Sequence, residues 1–194
     1  MPVTPDAPPL PGALAETERL AALLPRSRIL LGPQATRASV TAALRDHPVA
    51  HFACHGLSNW ANPAASALIL HDHAIAAALT VEDLWRLHLT GADLAYLSAC
   101  DTTSTSLRMA DEAVHITAAF QLAGYRRVIG TLWPINDAAA VRMADGVYSF
   151  LTEGGTRAPR TERAAHALHH ATRLLRADYR TSPTLWAAYI HVGS

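Results

Sequence analysis

Three short apolar runs, at residues 49–55, 93–99 and 127–132, alternate with segments that carry the period of amphipathic helices. That alternation limits the fold more than anything else in the chain. A short apolar run with turn signals on either side reads as a strand buried on both faces. Strands separated by helical segments pair in parallel, because the helix is the crossover that returns the chain to the same edge. The expectation is an α/β domain with a mostly parallel central sheet and helices on both faces. The helical patterns fall at 13–24, 34–44, 80–87, 111–123, 137–151 and 161–178. Further strands are expected at 28–31 and 185–192, with a small hairpin from 67–70 and 74–79. Thr80, followed by Glu82 and Asp83, reads as a helix start, and Gly124 as a helix stop. The Pro-rich residues 1–12 read as an extended lead-in, and 13–194 as one domain.

Bulk properties narrow the function classes. A chain of 194 residues, half of them apolar, buries one sizeable core. Sixteen basic and sixteen acidic residues give zero formal charge, so no long-range field draws in nucleic acid or an anionic membrane. No apolar stretch is long enough to cross a bilayer, and the first residues lack the order of a signal peptide. Two cysteines make no disulfide framework, and a cytoplasmic setting is the expectation.

The chemistry-bearing residues lie in two strings, His51-Phe52-Ala53-Cys54-His55-Gly56 and Leu97-Ser98-Ala99-Cys100-Asp101-Thr102. Each ends an apolar run and sets a reactive side chain where strand gives way to loop. In open parallel sheets the active site lies beyond the carboxyl ends of the strands. His55 precedes Cys100 at close to the separation of about 50 residues that a catalytic His keeps from the Cys in caspases. A cysteine nucleophile needs an imidazole that stabilises its thiolate and then protonates the leaving amine. Regular strand alternation puts His51, Ala53 and His55 on one face and Phe52 and Cys54 on the other, which makes Cys54 a core residue. His51, deeper in the strand, reads as a hydrogen-bonded core histidine. Gly56 leaves its N–H uncovered, and with the N–H of Cys100 it offers a site for an oxyanion. Taken singly, His55 is a packed strand-end imidazole and Cys100 a buried thiol. Taken as a pair among small neighbours, they read as the dyad of a cysteine peptidase.

The other histidines carry less. His71-Asp72-His73 at a hairpin tip and His166, His169 and His170 on a helix have spacings compatible with metal ligands. Neither group has a C-x-x-C partner, so polar surface is the reading and no metal or cofactor is expected.

At these strings the chain resembles the CHAT domains, a branch of the caspase–separase clan of cysteine peptidases. The resemblance also takes in Leu30-Leu31-Gly32-Pro33-Gln34-Ala35-Thr36, Ser66-Ala67-Leu68-Ile69-Leu70, Asp111-Glu112-Ala113, Gly130-Thr131-Leu132-Trp133-Pro134-Ile135-Asn136-Asp137 and Pro183-Thr184-Leu185-Trp186-Ala187-Ala188-Tyr189. It implies the three-layer caspase–hemoglobinase fold, with His55 as catalytic imidazole and Cys100 as nucleophile. In separases an acidic residue after a Leu-Trp string lines the pocket for a basic P1 side chain, and Asp137 stands at the matching position. Asp137 reads equally as an N-cap or first-turn acid of its helix. CHAT domains usually follow tetratricopeptide repeats, which this chain does not contain. They also carry a core strand just before a segment like Met1-Pro2-Val3-Thr4-Pro5. The implied sheet therefore lacks its first strand, and a partner strand, a second copy of the chain or a mis-called start codon would each resolve it. The expected activity is cleavage of a protein or peptide substrate, after a basic residue if Asp137 lines the pocket. The alternative is a non-catalytic CHAT-like docking or regulatory module.

Overall fold

The computed structural model describes residues 3–57, 59, 61–98 and 109–194, the side chains of 63 and 109–115 excepted. A four-stranded sheet organises the domain. It contains β1 (Val49–Phe52), β5 (Leu94–Leu97), β6 (Arg127–Thr131) and β7 (Tyr189–Gly193), in the spatial order β1-β5-β6-β7. The first three run parallel, with Phe52 opposite Leu97 and Tyr96 opposite Ile129, and β7 closes antiparallel on β6. A second, antiparallel sheet holds β2 (His55–Leu57), β3 (Ala67–Ile69) and β4 (Leu79–Thr80).

The period of two sorts the central strands onto two cores. Ala95, Leu97, Val128 and Phe52 enter one core with Val40 and Leu44 of α2 (Arg37–Asp46), Leu84 of α4 (Val81–Trp85) and Phe120 of α5 (Met109–Ala123). Leu94, Tyr96 and Ile129 enter the other. There they meet Leu20 of α1 (Pro11–Leu23), Met143, Val147 and Tyr148 of α6 (Asp137–Thr152), and Leu168 of α7 (Ala164–Asp178). A short helix α3 (His73–Ala76) lies in the β3–β4 connection. The mostly parallel sheet with helices on both faces is therefore present.

Local chemistry sets the boundaries. Thr80 accepts from the Asp83 N–H and Asp83 accepts in return from the Thr80 N–H, a reciprocal cap that starts α4. Gly124 stops α5 at φ +121°, where a Cβ would lie 2.1 Å from the Leu89 carbonyl oxygen, so only glycine fits.

Three elements differ from expectation. The hairpin arm expected at 74–79 is taken up by the helix α3 as far as Ala76, and of it only Leu79 is strand, because the chain coils before it meets β3. Residues 28–31 form no strand, although their apolar run reads as one. A strand needs a neighbour, and none of the described strands pairs with them. The run 49–55 is not one strand either. It leaves the central sheet after Phe52, bends through Ala53 and Cys54, and re-forms as β2 in the second sheet, where His55 opposes Ile69. The simple face alternation therefore ends at Phe52.

Candidate functional site

The parallel strands end at one edge. The Ser98 N–H donates to the Phe52 carbonyl at 2.8 Å, so β1 and β5 stop side by side there. Beyond those ends lies a pocket of about 60 Å³, lined by Ala53, Cys54, Ser98, Ile135, Asp137, Leu10 and Glu16 among others. Cys100, two residues after Ser98 in sequence, lies outside the described residues, as does its N–H.

His55 is the first residue of β2 and only 3% exposed. Its Nε2 lies 2.7 Å from the Pro8 carbonyl oxygen. A carbonyl only accepts, so Nε2 carries the proton and donates it. The Nδ1 lone pair is then the ring's basic position. A buried imidazole held in one tautomer and one orientation by a third group is the recurrent arrangement of a general base. Gly56 follows in β2, buried and opposite Leu68 of β3.

Asp137 lies at the first position of α6. The cap itself is Asn136, whose side chain accepts from the N–H groups of Ala138 and Ala139. That frees the Asp137 carboxylate, which accepts from the Gly12 N–H at 2.9 Å. Gly12 is close: a Cβ there would lie 2.7 Å from Asp137 Cβ. The structure thus brings Asp137 to the pocket at the strand ends and spends one of its oxygens on α1.

Residues 8–12 are therefore tied to this edge at two points, through the Pro8 carbonyl and the Gly12 N–H. Sequence reasoning missed both. Main-chain groups carry no residue-type signal, and only the close packing of Gly12 hints at one of them.

Cys54 is 3% exposed and sits in the core with Phe52 and Phe120, as a small apolar residue does. His51 points to the other face. It stacks on Tyr96 with ring centroids 4.8 Å apart, and its Nε2 lies 3.1 Å from Glu16 Oε1 without the alignment of a hydrogen bond. The hydrogen-bonded core histidine expected at this position is instead one held by ring stacking and a nearby carboxylate. Burial pushes the Tyr96 and Tyr148 phenols well above their ordinary value, and the Glu16 carboxylate adds to this in both. Both tyrosines therefore stay neutral at any physiological pH. Among the described residues, no group of three or more His, Cys, Asp or Glu side chains could hold a metal ion, and no helix is long and apolar enough to cross a membrane.

The fold and this edge define a mixed α/β domain with a buried histidine beyond the ends of parallel strands. Residues 1–194 match the CHAT domain family throughout, and the chain belongs to that caspase-like family. It is similar to tetratricopeptide repeat protein 28 of Homo sapiens, 28% identical over 221 residues covering 96% of this chain and 8% of the relative. The protein of the same name from Mus musculus matches at 28%, over 96% of this chain and 9% of the relative. The chain thus spans less than a tenth of the length of these relatives.

Proposed function

We propose that this domain is a cysteine endopeptidase on the caspase–hemoglobinase fold, acting in the cytoplasm on protein or peptide substrates without metal or nucleotide. The observation that carries the reading is the hydrogen bond from His55 Nε2–H to the Pro8 carbonyl at the carboxyl edge of the sheet. In that tautomer Nδ1 is the ring nitrogen that exchanges a proton with the thiol of Cys100. The Cys100 thiolate adds to the scissile carbonyl carbon, and the N–H groups of Gly56 and Cys100 hold the oxyanion. As the C–N bond breaks, the His55 imidazolium gives its proton to the leaving amine. Water, deprotonated by His55, then attacks the thioester, and the C–S bond breaks to return the thiol. Asp137 lines the P1 pocket and favours Arg or Lys there, since a half-buried carboxylate is most stable beside a cation.

The test is labelling with acyloxymethylketone peptides that differ at P1. The expected result is one adduct, on Cys100, lost in His55→Ala. An adduct on Cys54, or none on either cysteine, would overturn the reading.

A second reading, a non-catalytic docking module, is favoured by the relatives' repeat-protein character and by the wide groove beside β1.

A further inference from the structure

Among the described residues, Glu16 on α1 is the one buried acid. It is 3% exposed, and its Oε1 makes no hydrogen bond. That oxygen lies 3.1 Å from Nε2 of His51 on β1. The rings of Tyr96 and Tyr148 stand against the imidazole, with centroids 4.8 and 5.6 Å away. Taking a carboxyl out of water is costly. Replacing a buried ionisable pair by apolar side chains of similar volume is often neutral or stabilising. A carboxyl–imidazole pair in this core therefore calls for a role other than stability.

Its placement indicates that role. Glu16 lies one turn beyond Gly12, on the same face of α1. The Gly12 N–H holds the Asp137 carboxylate, and the Pro8 carbonyl, four residues earlier, holds His55. On the facing segment, His51 lies four residues before His55. The two segments thus pass each other in opposite directions. Glu16 meets His51 at one end of the overlap, and Pro8 meets His55 at the other. Glu16 and Asp137 also line the same small pocket.

These contacts differ in how far they fix the position of α1. The Pro8 carbonyl and the Gly12 N–H are main-chain groups, and neighbouring residues offer others like them. Three side chains of α1 are buried, and two of them, Ala13 and Leu20, are apolar and pack without direction. The third is Glu16, which meets a side chain of one chemical kind. A slip of one residue would turn the helix by about 100° and carry the carboxyl away from His51.

We propose that Glu16 and His51 are positioning residues, whose pair pins α1 against β1 so that the Pro8 carbonyl stays on the His55 Nε2–H. The effect on turnover rests on the peptidase reading above. The effect on the His55 ring does not, and it can be measured in a chain without activity.

The test is nuclear magnetic resonance of the full chain with isotopically labelled histidine ring nitrogens. The His55 signals are assigned by their loss in His55→Gln. The wild-type ring should carry its proton on Nε2 and exchange it slowly with water. Glu16→Met keeps the length of the side chain and removes the carboxyl. It should speed that exchange by at least about tenfold, the worth of one lost hydrogen bond, and mix the two tautomers. Near-UV circular dichroism should stay unchanged. Glu16→Gln keeps a polar group opposite His51 and should bring exchange back to within about twofold of wild type. His51→Phe keeps the stack on Tyr96 and should act as Glu16→Met does, which breaks the pair from the other side if the first variant does not fold. In turnover, Glu16→Met should lower kcat about tenfold and leave KM within about twofold. A folded Glu16→Met or His51→Phe chain with the wild-type His55 proton would overturn the proposal. So would a His55 ring as loose in Glu16→Gln as in Glu16→Met, or unfolding in both Glu16→Met and His51→Phe, which would make the pair structural. A wild-type chain that cleaves nothing would count against the peptidase reading alone, and the ring measurement would still decide this one.

Discussion

The two cavities share a wall and little else. Ala53 and Cys54 line both. Beyond the strand ends the space is about 60 Å³; the Asp137 carboxylate in its wall accepts from the Gly12 N–H, and His55, next in sequence to the lining residue Cys54, donates to Pro8. On the outer side of β1 the space is about 720 Å³, and no described strand pairs with that edge. The contrast separates two ways of preparing a site. At the strand ends the His55 imidazole and the Asp137 carboxylate are each held by a main-chain group before any ligand arrives, which is what proton transfer requires. The large cavity is lined mainly by apolar side chains, which suits burial of apolar surface rather than proton transfer.

The strongest way to break the comparison is to remove chemistry on the small side. Cys100→Ala or His55→Ala should lower peptide turnover by about a thousandfold or more, as loss of a paired nucleophile or base does. Cys54→Ser, on the shared wall, should keep most of it. Equal losses in all three would mean that the effect is one of packing. Next in size is specificity. Asp137→Asn, with the Gly12 hydrogen bond retained by the amide oxygen, should lower cleavage after Arg or Lys by about tenfold to a hundredfold relative to a neutral P1 residue. An unchanged P1 preference would reduce Asp137 to a tie for α1.

A single added side chain sharpens the contrast further, because its sign should differ between the two sides. Gly12→Ala drives a Cβ to 2.7 Å from Asp137 and should cost about 1–2 kcal/mol by chemical denaturation. Ala43→Leu, on the groove wall, adds apolar volume where there is room and should raise stability by about 0.5–1 kcal/mol. An effect of similar size lies away from both cavities. Burial alone would raise the Asp83 carboxyl. Hydrogen bonds from the Thr80 hydroxyl and N–H, together with the Arg37 guanidinium, outweigh it and hold the carboxyl below its ordinary value. A depressed acid stabilises the fold above its unfolded pKa, and that contribution fades as pH falls through the folded value. Asp83→Asn should therefore cost about 1 kcal/mol at pH 7, and the gap should close below about pH 4. A gap that stays constant down to pH 2 would contradict this.

Much of this was legible in the sequence, for reasons that can be named. The buried strands and helices followed from apolar period, and the starts and stops from Thr80 and Gly124. The burial of Cys54 followed from its place in the first string. Three things were not legible. The turn at Ala53–Cys54 moves His55 into another sheet, and nothing in an apolar run announces where it changes partner. Residues 28–31 have strand composition without a strand, because pairing is a property of two segments and the sequence shows one. The contacts of Pro8 and Gly12 with His55 and Asp137 use main-chain atoms, which every residue possesses. Asn136 could have been seen as the cap in place of Asp137, since the stronger capping residue stands one position earlier.

The burial of Cys54 gives the protein a built-in gauge. At 3% exposure its sulfur is closed to a bulky maleimide while the fold holds. Unfolding opens it. The rate at which the Cys54 thiol becomes modified therefore reads the opening of the Phe52–Phe120 core directly, without an added dye or a substrate.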